Sequence, residues 1–220
     1  MLFMIRERIR GIIFDFDGTL IDSFAFHLRW WREAFSRFGI EIDSDIILRN
    51  FGKSHEDMAY SIRPDIGLER AREIASLEKH LFRESEGDMR LFPEVLQVLN
   101  HLTNIGVTLS IASSNPRVDT ERMLEKSGIR EFFSSISGAD EVNQGKPHPD
   151  LIFLAAERAS IKSDEALLVG DTQHDIVAGR RAGLKTMLVI RGEDQSIQSD
   201  EKADYIVSDL KVLLEMIKMG

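Results

Sequence analysis

The chain of 220 residues contains no cysteine, which removes disulfides, thiolate nucleophiles and cysteine-ligated zinc and fits a reducing compartment. It also lacks an excess of positive charge: 28 Lys and Arg stand against 37 Asp and Glu, a formal charge of −9. Binding along a nucleic-acid backbone depends on cations that displace counterions, so nucleic acid is not an expected partner. Small phosphorylated ligands stay open, because one or two focused cations together with a metal can reverse the field of an acidic protein locally. No long hydrophobic run is present. The apolar residues 1–5 are cut off by Arg6, Glu7, Arg8 and Arg10, too early for a signal-peptide core or a membrane span, and a cytoplasmic location is expected. Fixed-period repeats and low-complexity tracts are missing as well, which excludes solenoids and arrays.

What is present is the composition of an ordinary globular protein, 43% hydrophobic and 30% charged, long enough for one domain or for a core with an inserted module. Short apolar runs recur at residues 12–14, 107–112, 132–136, 166–169, 186–190 and 205–207, and each reads as a buried strand. Between them lie segments of helical period, such as Val95, Leu96, Val98, Leu99 and Leu102, or Leu151, Ile152, Leu154 and Ala155. Strands alternating with helices of this length imply an α/β fold with a Rossmann-like parallel sheet covered on both faces. Residues 23–88 break the alternation. They show only helix-like stretches at 24–38, 44–49, 55–61 and 68–85, separated by Gly39, Gly52 and Pro64, with Trp30, Trp31 and several Phe as the expected core. The expected organisation is therefore residues 1–21 and 89–220 as the α/β core and 22–88 as an inserted all-α domain.

Ligands of open parallel sheets bind beyond the carboxyl ends of the strands. Asp15 and Asp17 follow the first run; Ser113, Ser114 and Asn115 follow the second; the loop after the third carries Lys146; Gly170, Asp171 and Thr172, with Asp175 beyond, follow the fourth. Each has a plainer explanation. Asp-Gly in Asp17-Gly18 is a turn signal, Asp171, Asp175 and the serines suit helix caps, and Lys146 is one of many basic residues. Several acids gathered at one sheet edge nevertheless repel one another, by ~4 kcal/mol for a pair about 4 Å apart at an effective dielectric of ~20. A divalent cation relieves that repulsion.

The residues Asp15-Phe16-Asp17-Gly18-Thr19, Ser113 at a strand end, Lys146 in Gly145-Lys146-Pro147-His148-Pro149-Asp150, and Gly170-Asp171-Thr172 with Asp175 resemble, in order, the motifs of the haloacid dehalogenase superfamily of aspartate-nucleophile phosphohydrolases. The helical insert and His27, twelve residues past Asp15, resemble its phosphoglycolate-phosphatase-like and β-phosphoglucomutase-like branch, in which the insert is a cap domain. The resemblance implies Asp15 as nucleophile and Asp17 as acid and then base. It implies Mg²⁺ held by the Asp15 side chain, the Asp17 backbone and Asp171, with Asp175 holding a metal-bound water or Lys146. Gly18, Ser113, Ser114 and Lys146 would bind the phosphoryl oxygens, and Lys53 and His55 of the cap would contact the substrate. Two departures, Glu94 after Phe-Pro and Asn115 after the paired serines, are expected to leave the core chemistry untouched.

The expected activity is hydrolysis of a small phosphomonoester such as phosphoglycolate. A phosphosugar mutase is the alternative, although the family's Gly-x-Ser-Arg phosphate fork reads here as Gly52-Lys53-Ser54-His55, which lacks the arginine. Dehalogenation gives Asp17 no task, and a phosphonate hydrolase would ask Lys53 to form a Schiff base. A non-catalytic phospholigand-binding module could discard Asp15, Asp17 or Lys146, and all three are present.

Overall fold

The computed structural model describes residues 9–50, 54–85, 90–191 and 202–217. The chain divides into two compact units, Met1–Ile21 with Arg90–Gly220, and Asp22–Met89. Among the described residues no helix is long and apolar enough to cross a membrane.

The first unit is built on six parallel strands, β1 (Gly11–Phe14), β2 (Thr108–Ser113), β3 (Ser135–Gly138), β4 (Ala166–Gly170), β5 (Lys185–Val189) and β6 (Tyr205–Val207), in the order β3-β2-β1-β4-β5-β6. The first strand is central, so all four of its residues are buried and none alternates with solvent. Successive side chains point to opposite faces. Ile13 packs with Leu151, Ile152 and Ala155 of α7 (Asp150–Arg158) and with Ala178 of α8 (Gln173–Arg181). Ile12 and Phe14 are equally buried on the other face, where Phe14 meets the edge of Phe133. The chain winds to one side of β1 through β2 and β3, then crosses back to place β4 on the other side. The seam between β1 and β4 is the switch point where such sheets open a crevice. Helices α5 (Val95–Asn104) and α6 (Arg117–Lys126) complete the crossovers, and α9 (Val212–Met216) packs on α5.

Two sequence expectations shift. The third strand begins at Ser135 rather than at residue 132, because Arg130–Phe132 forms a single tight turn. That turn is closed by Phe133 N–H on Arg130 O and by the Arg130 guanidinium on Phe133 O. The last strand is not buried: β6 sits at the sheet edge and Ile206 is 60% exposed.

The second unit holds helices α1 (Phe24–Arg37), α2 (Ser44–Leu48), α3 (His55–Ile62) and α4 (Gly67–Ser85). The Asp43 side chain caps α2 at the Asp45 N–H, and Ser54 caps α3 at the Asp57 N–H. Trp31, Ala34 and Phe35 of α1 meet Ile74 and Ala75 of α4, with Met58 and Ala59 of α3 in the same cluster. Trp31 is thus core, while Trp30 is only partly buried against it.

Glu94 is one of the few buried acids in the first unit, and its partner is Arg191, just beyond β5. The Arg191 guanidinium also donates to Thr19 O at 2.7 Å and lies 3.7 Å above the Phe92 ring. One cation thereby ties the end of β5 to the turn after β1. Removing one partner of a buried ion pair leaves the other charge uncompensated, so Glu94→Ala should cost about 3 kcal/mol of stability by urea denaturation. A loss below about 0.5 kcal/mol would mean that solvent already screens Arg191.

Candidate active site

The carboxyl end of β1 is fixed by its neighbour: Asp15 N–H donates to Val169 O of β4 at 2.8 Å, so the ladder continues one residue past the strand. This places the Asp15 carboxylate at the switch point, almost fully buried. Lys146 Nζ lies 2.6 Å from Asp15 Oδ1 and 2.6 Å from Asp175 Oδ1, with only 2% of its side chain exposed. Asp175 in turn accepts from the Thr172 N–H while Thr172 Oγ1 caps α8 at the Asp175 N–H. Asp175 is both a helix cap and the anchor of Lys146.

Asp171 follows β4 directly. Asp15, Asp171 and Asp175 each bring a carboxylate oxygen within 4.8 Å of the others. Burial first, and the neighbouring acids next, push Asp15 up to about 7 against the pull of Lys146. The same causes raise Asp171 well above the usual carboxylate range. For Lys146, burial acts downward, but Asp15 and Asp175 outweigh it and hold the ammonium charged. Two buried acids therefore share one ammonium, with a third, partly buried acid beside them. An all-oxygen set with surplus negative charge fits a hard divalent cation.

Gly18 adopts φ +75°, and a side chain there would collide with the Asp171 carboxylate. Its N–H donates to Ile21 O at 2.9 Å, so Gly18 contributes room at the site while its own donor closes the turn. Ser113, buried at the end of β2, accepts the Asn115 N–H at 3.1 Å; Ser114 is exposed.

Asn115 stands closer to the candidate site than its expected lack of effect suggests. Its Nδ2 donates to Asp17 Oδ2 at 2.6 Å. The other oxygen, Asp17 Oδ1, is buried without a hydrogen-bond partner among the described residues. The pairing of β1 with β2, which ends with Phe14 opposite Ile111, brings the two loops that carry Asp17 and Asn115 side by side. Thr19 was also missed; its hydroxyl reaches Asp171 Oδ1 at 3.4 Å, and Arg191 holds its carbonyl. Of the residues expected in the helical unit, Lys53 lies outside the described residues. His55 opens α3 with Nε2 3.2 Å from the buried Glu78.

Residues 12–189 match the model of the haloacid dehalogenase-like hydrolases. The chain belongs to that family. It is 31% identical over 210 residues to the pyrophosphatase PpaX of Oceanobacillus iheyensis, covering 95% of this chain and 97% of that one. It is 26% identical over 227 residues to a phosphoglycolate phosphatase of Vibrio parahaemolyticus, covering 99% and 100%. Its fold matches the crystal structure of a predicted phosphoglycolate phosphatase from Haemophilus somnus with a TM-score of 0.86 over 96% of this chain and 99% of that one, at 21% identity.

For this hydrolase the raised Asp15 has a consequence for stability. The carboxyl keeps its proton to about pH 7 in the fold but only to 3.8 in the unfolded chain. Between those values the folded chain binds more protons than the unfolded one, so stability falls as pH rises, and above pH 7 the deficit is constant. In chelator at pH 8, Asp15→Asn should therefore unfold at higher urea than the wild type, by on the order of 2–4 kcal/mol. The advantage should shrink at pH 5. A less stable variant at pH 8 would show that Lys146 pairing outweighs burial.

Proposed function

We propose that this hydrolase releases phosphate from a small phosphomonoester through an aspartyl-phosphate intermediate on Asp15. The observation that carries the reading is the different surroundings of two acids two residues apart. Asp15 is buried beside an ammonium, whereas Asp17 is held through one oxygen by Asn115 and keeps the other unpartnered. The first arrangement suits a nucleophile and the second a group that passes a proton.

Mg²⁺, held by the Asp15 and Asp171 side chains and the Asp17 carbonyl, would supply charge neutralisation for the phosphoryl oxygens. In the first half-reaction an Asp15 oxygen forms the bond to phosphorus, the ester P–O bond breaks, and the proton of Asp17 passes to the leaving oxygen. In the second, Asp17 takes a proton from the attacking water, whose oxygen bonds phosphorus while the bond to Asp15 breaks. Lys146 offsets negative charge on Asp15 and on the phosphoryl group throughout. Ser113 and Ser114 are proposed to hydrogen-bond the phosphoryl oxygens. Asn115 holds Asp17 so that the free oxygen keeps one direction.

Relatives named as phosphoglycolate phosphatase, pyrophosphatase and glyceraldehyde 3-phosphate phosphatase support a compact anionic substrate, with phosphoglycolate as our first choice. We propose that residues 22–88 act as a cap that selects among leaving groups. A mutase would need a second phosphate grip, and His55 is already engaged by Glu78.

The test is phosphate release across phosphoglycolate, pyrophosphate, glyceraldehyde 3-phosphate and sugar phosphates. Turnover should stop in EDTA, return with Mg²⁺ and vanish in Asp15→Asn. Near-normal turnover in that variant, or after complete chelation, would sink the mechanism. Asn115→Ala should lower kcat by ~10-fold or more, roughly one hydrogen bond to a charged group at ~1.5–3 kcal/mol. The loss should be larger for alkyl phosphates than for p-nitrophenyl phosphate, whose leaving group needs no proton. Equal losses would place Asn115 outside the proton path.

A further inference from the structure

Within the helical unit lies a second set of ligating side chains, chemically unlike the first. His27 stands in the first turn of α1, His55 opens α3 and Glu78 lies in the second half of α4. His27 Nδ1 is 3.1 Å from Glu78 Oε1, and His55 Nε2 is 3.2 Å from Glu78 Oε2. One ligand atom from each residue lies within 4.8 Å of the other two.

Glu78 has no exposed surface and shares its helix face with Ala71, Ile74, Ala75 and Phe82. A carboxylate on an apolar stripe is costly unless its charge is answered. Here the two imidazoles converge on it, one at each carboxylate oxygen. The imidazole planes are fixed by packing. His27 stacks on Phe82 with centroids 4.4 Å apart and planes 12° apart, and His55 lies 6.0 Å from Trp31. Rings held in this way lose little freedom when a ligand arrives. The His55 side chain is 28% exposed, which leaves a route from solvent.

Two nitrogens and a carboxylate form a donor set for a borderline-soft cation. Zn²⁺ binds imidazole nitrogen and carboxylate oxygen at roughly 2.0–2.2 Å, and a tetrahedron of that size has edges of about 3.3 Å. Each imidazole nitrogen already lies close to that edge length from a Glu78 oxygen, His27 from Oε1 and His55 from Oε2. We propose that His27, His55 and Glu78 form a Zn²⁺ site inside the helical unit, with its fourth position taken by water. The inference does not rest on the phosphatase reading. It uses no residue of the Asp15 site.

The test uses the full chain, stripped by chelator and then held in excess Mg²⁺ so that the carboxylate site is competed. Zn²⁺ titration by calorimetry, with metal content measured after dialysis, should give one Zn²⁺ per chain. His55→Ala and Glu78→Gln should each weaken that binding by at least ten-fold, with helical content checked by circular dichroism. Asp171→Asn should leave it intact. Co²⁺ added to the wild-type chain in Mg²⁺ provides a second reading that does not depend on any variant keeping its fold. Intense visible bands of tetrahedral Co²⁺ support the site, and the weak spectrum of octahedral Co²⁺ overturns it. Absence of Zn²⁺ uptake in Mg²⁺ would overturn it as well. So would uptake that survives both helical-unit variants and disappears in Asp171→Asn.

Discussion

Three clustered carboxylates, two of them buried, with one ammonium between them set the terms on which the α/β unit is built. Lys146 lies 2.6 Å from both Asp15 and Asp175, and Asp171 adds a third acid to the cluster. Acids about 4 Å apart repel by ~4 kcal/mol at an effective dielectric of ~20, and one lysine cannot cancel three such charges. The rise of Asp15 to about 7 is the same statement in protons: unaided, the fold prefers this acid neutral. A neutral carboxyl is a poor nucleophile. The cluster would make sense where a divalent cation completes the charge balance, and any instability without it would be the counterpart of the proposed chemistry with it.

Such a cluster needs a frame that does not relax away from the repulsion, and the parallel sheet provides one. Asp15 is clamped to β4 through its own backbone, and Asp171 emerges one strand away. Around them the hydrogen bonds form a closed set. Thr172 and Asp175 cap each other at the start of α8, Asn115 holds Asp17, and Arg191 joins Glu94 to the Thr19 carbonyl. In the proposed chemistry Thr172, Asn115, Arg191, Glu94 and Thr19 are not reacting groups. Their effect is to convert loops after strands into positions with a single geometry, as the proposed placement of a nucleophile beside a proton carrier would demand.

Much of this was legible in the chain. Apolar runs mark strands because a doubly covered sheet tolerates little else, and the acids after β1 and β4 stand out because a buried edge should not carry them. The helices of residues 24–85 were readable from period and from glycine and proline breaks. What escaped depends on how separate elements meet. Asn115 reaches Asp17 only because β1 and β2 pair with Phe14 opposite Ile111, a register that neither strand states alone. Glu94 stands out in the sequence only as a departure after Phe-Pro, and its partner lies 97 residues away. Ile206 reads as core by residue type, and its place at the sheet edge leaves it exposed.

The two clusters differ in donor chemistry, and with metal in both that difference would let one chain sort cations. The Asp15 site offers only carboxylates and carbonyls, hard donors that favour a small, strongly hydrated ion and hold it largely by charge. The His27, His55 and Glu78 set replaces two of the oxygens with imidazole nitrogen, which favours zinc-type ions over Mg²⁺ by ligand softness as well as by charge. In a chain without cysteine, imidazole is the strongest means available for that discrimination. Separation into two units keeps the donor sets from mixing, since every ligand of each lies within one unit. A borderline ion drawn to the helical unit would then be one fewer competitor for the carboxylates, where tighter, slower-exchanging binding would hinder turnover.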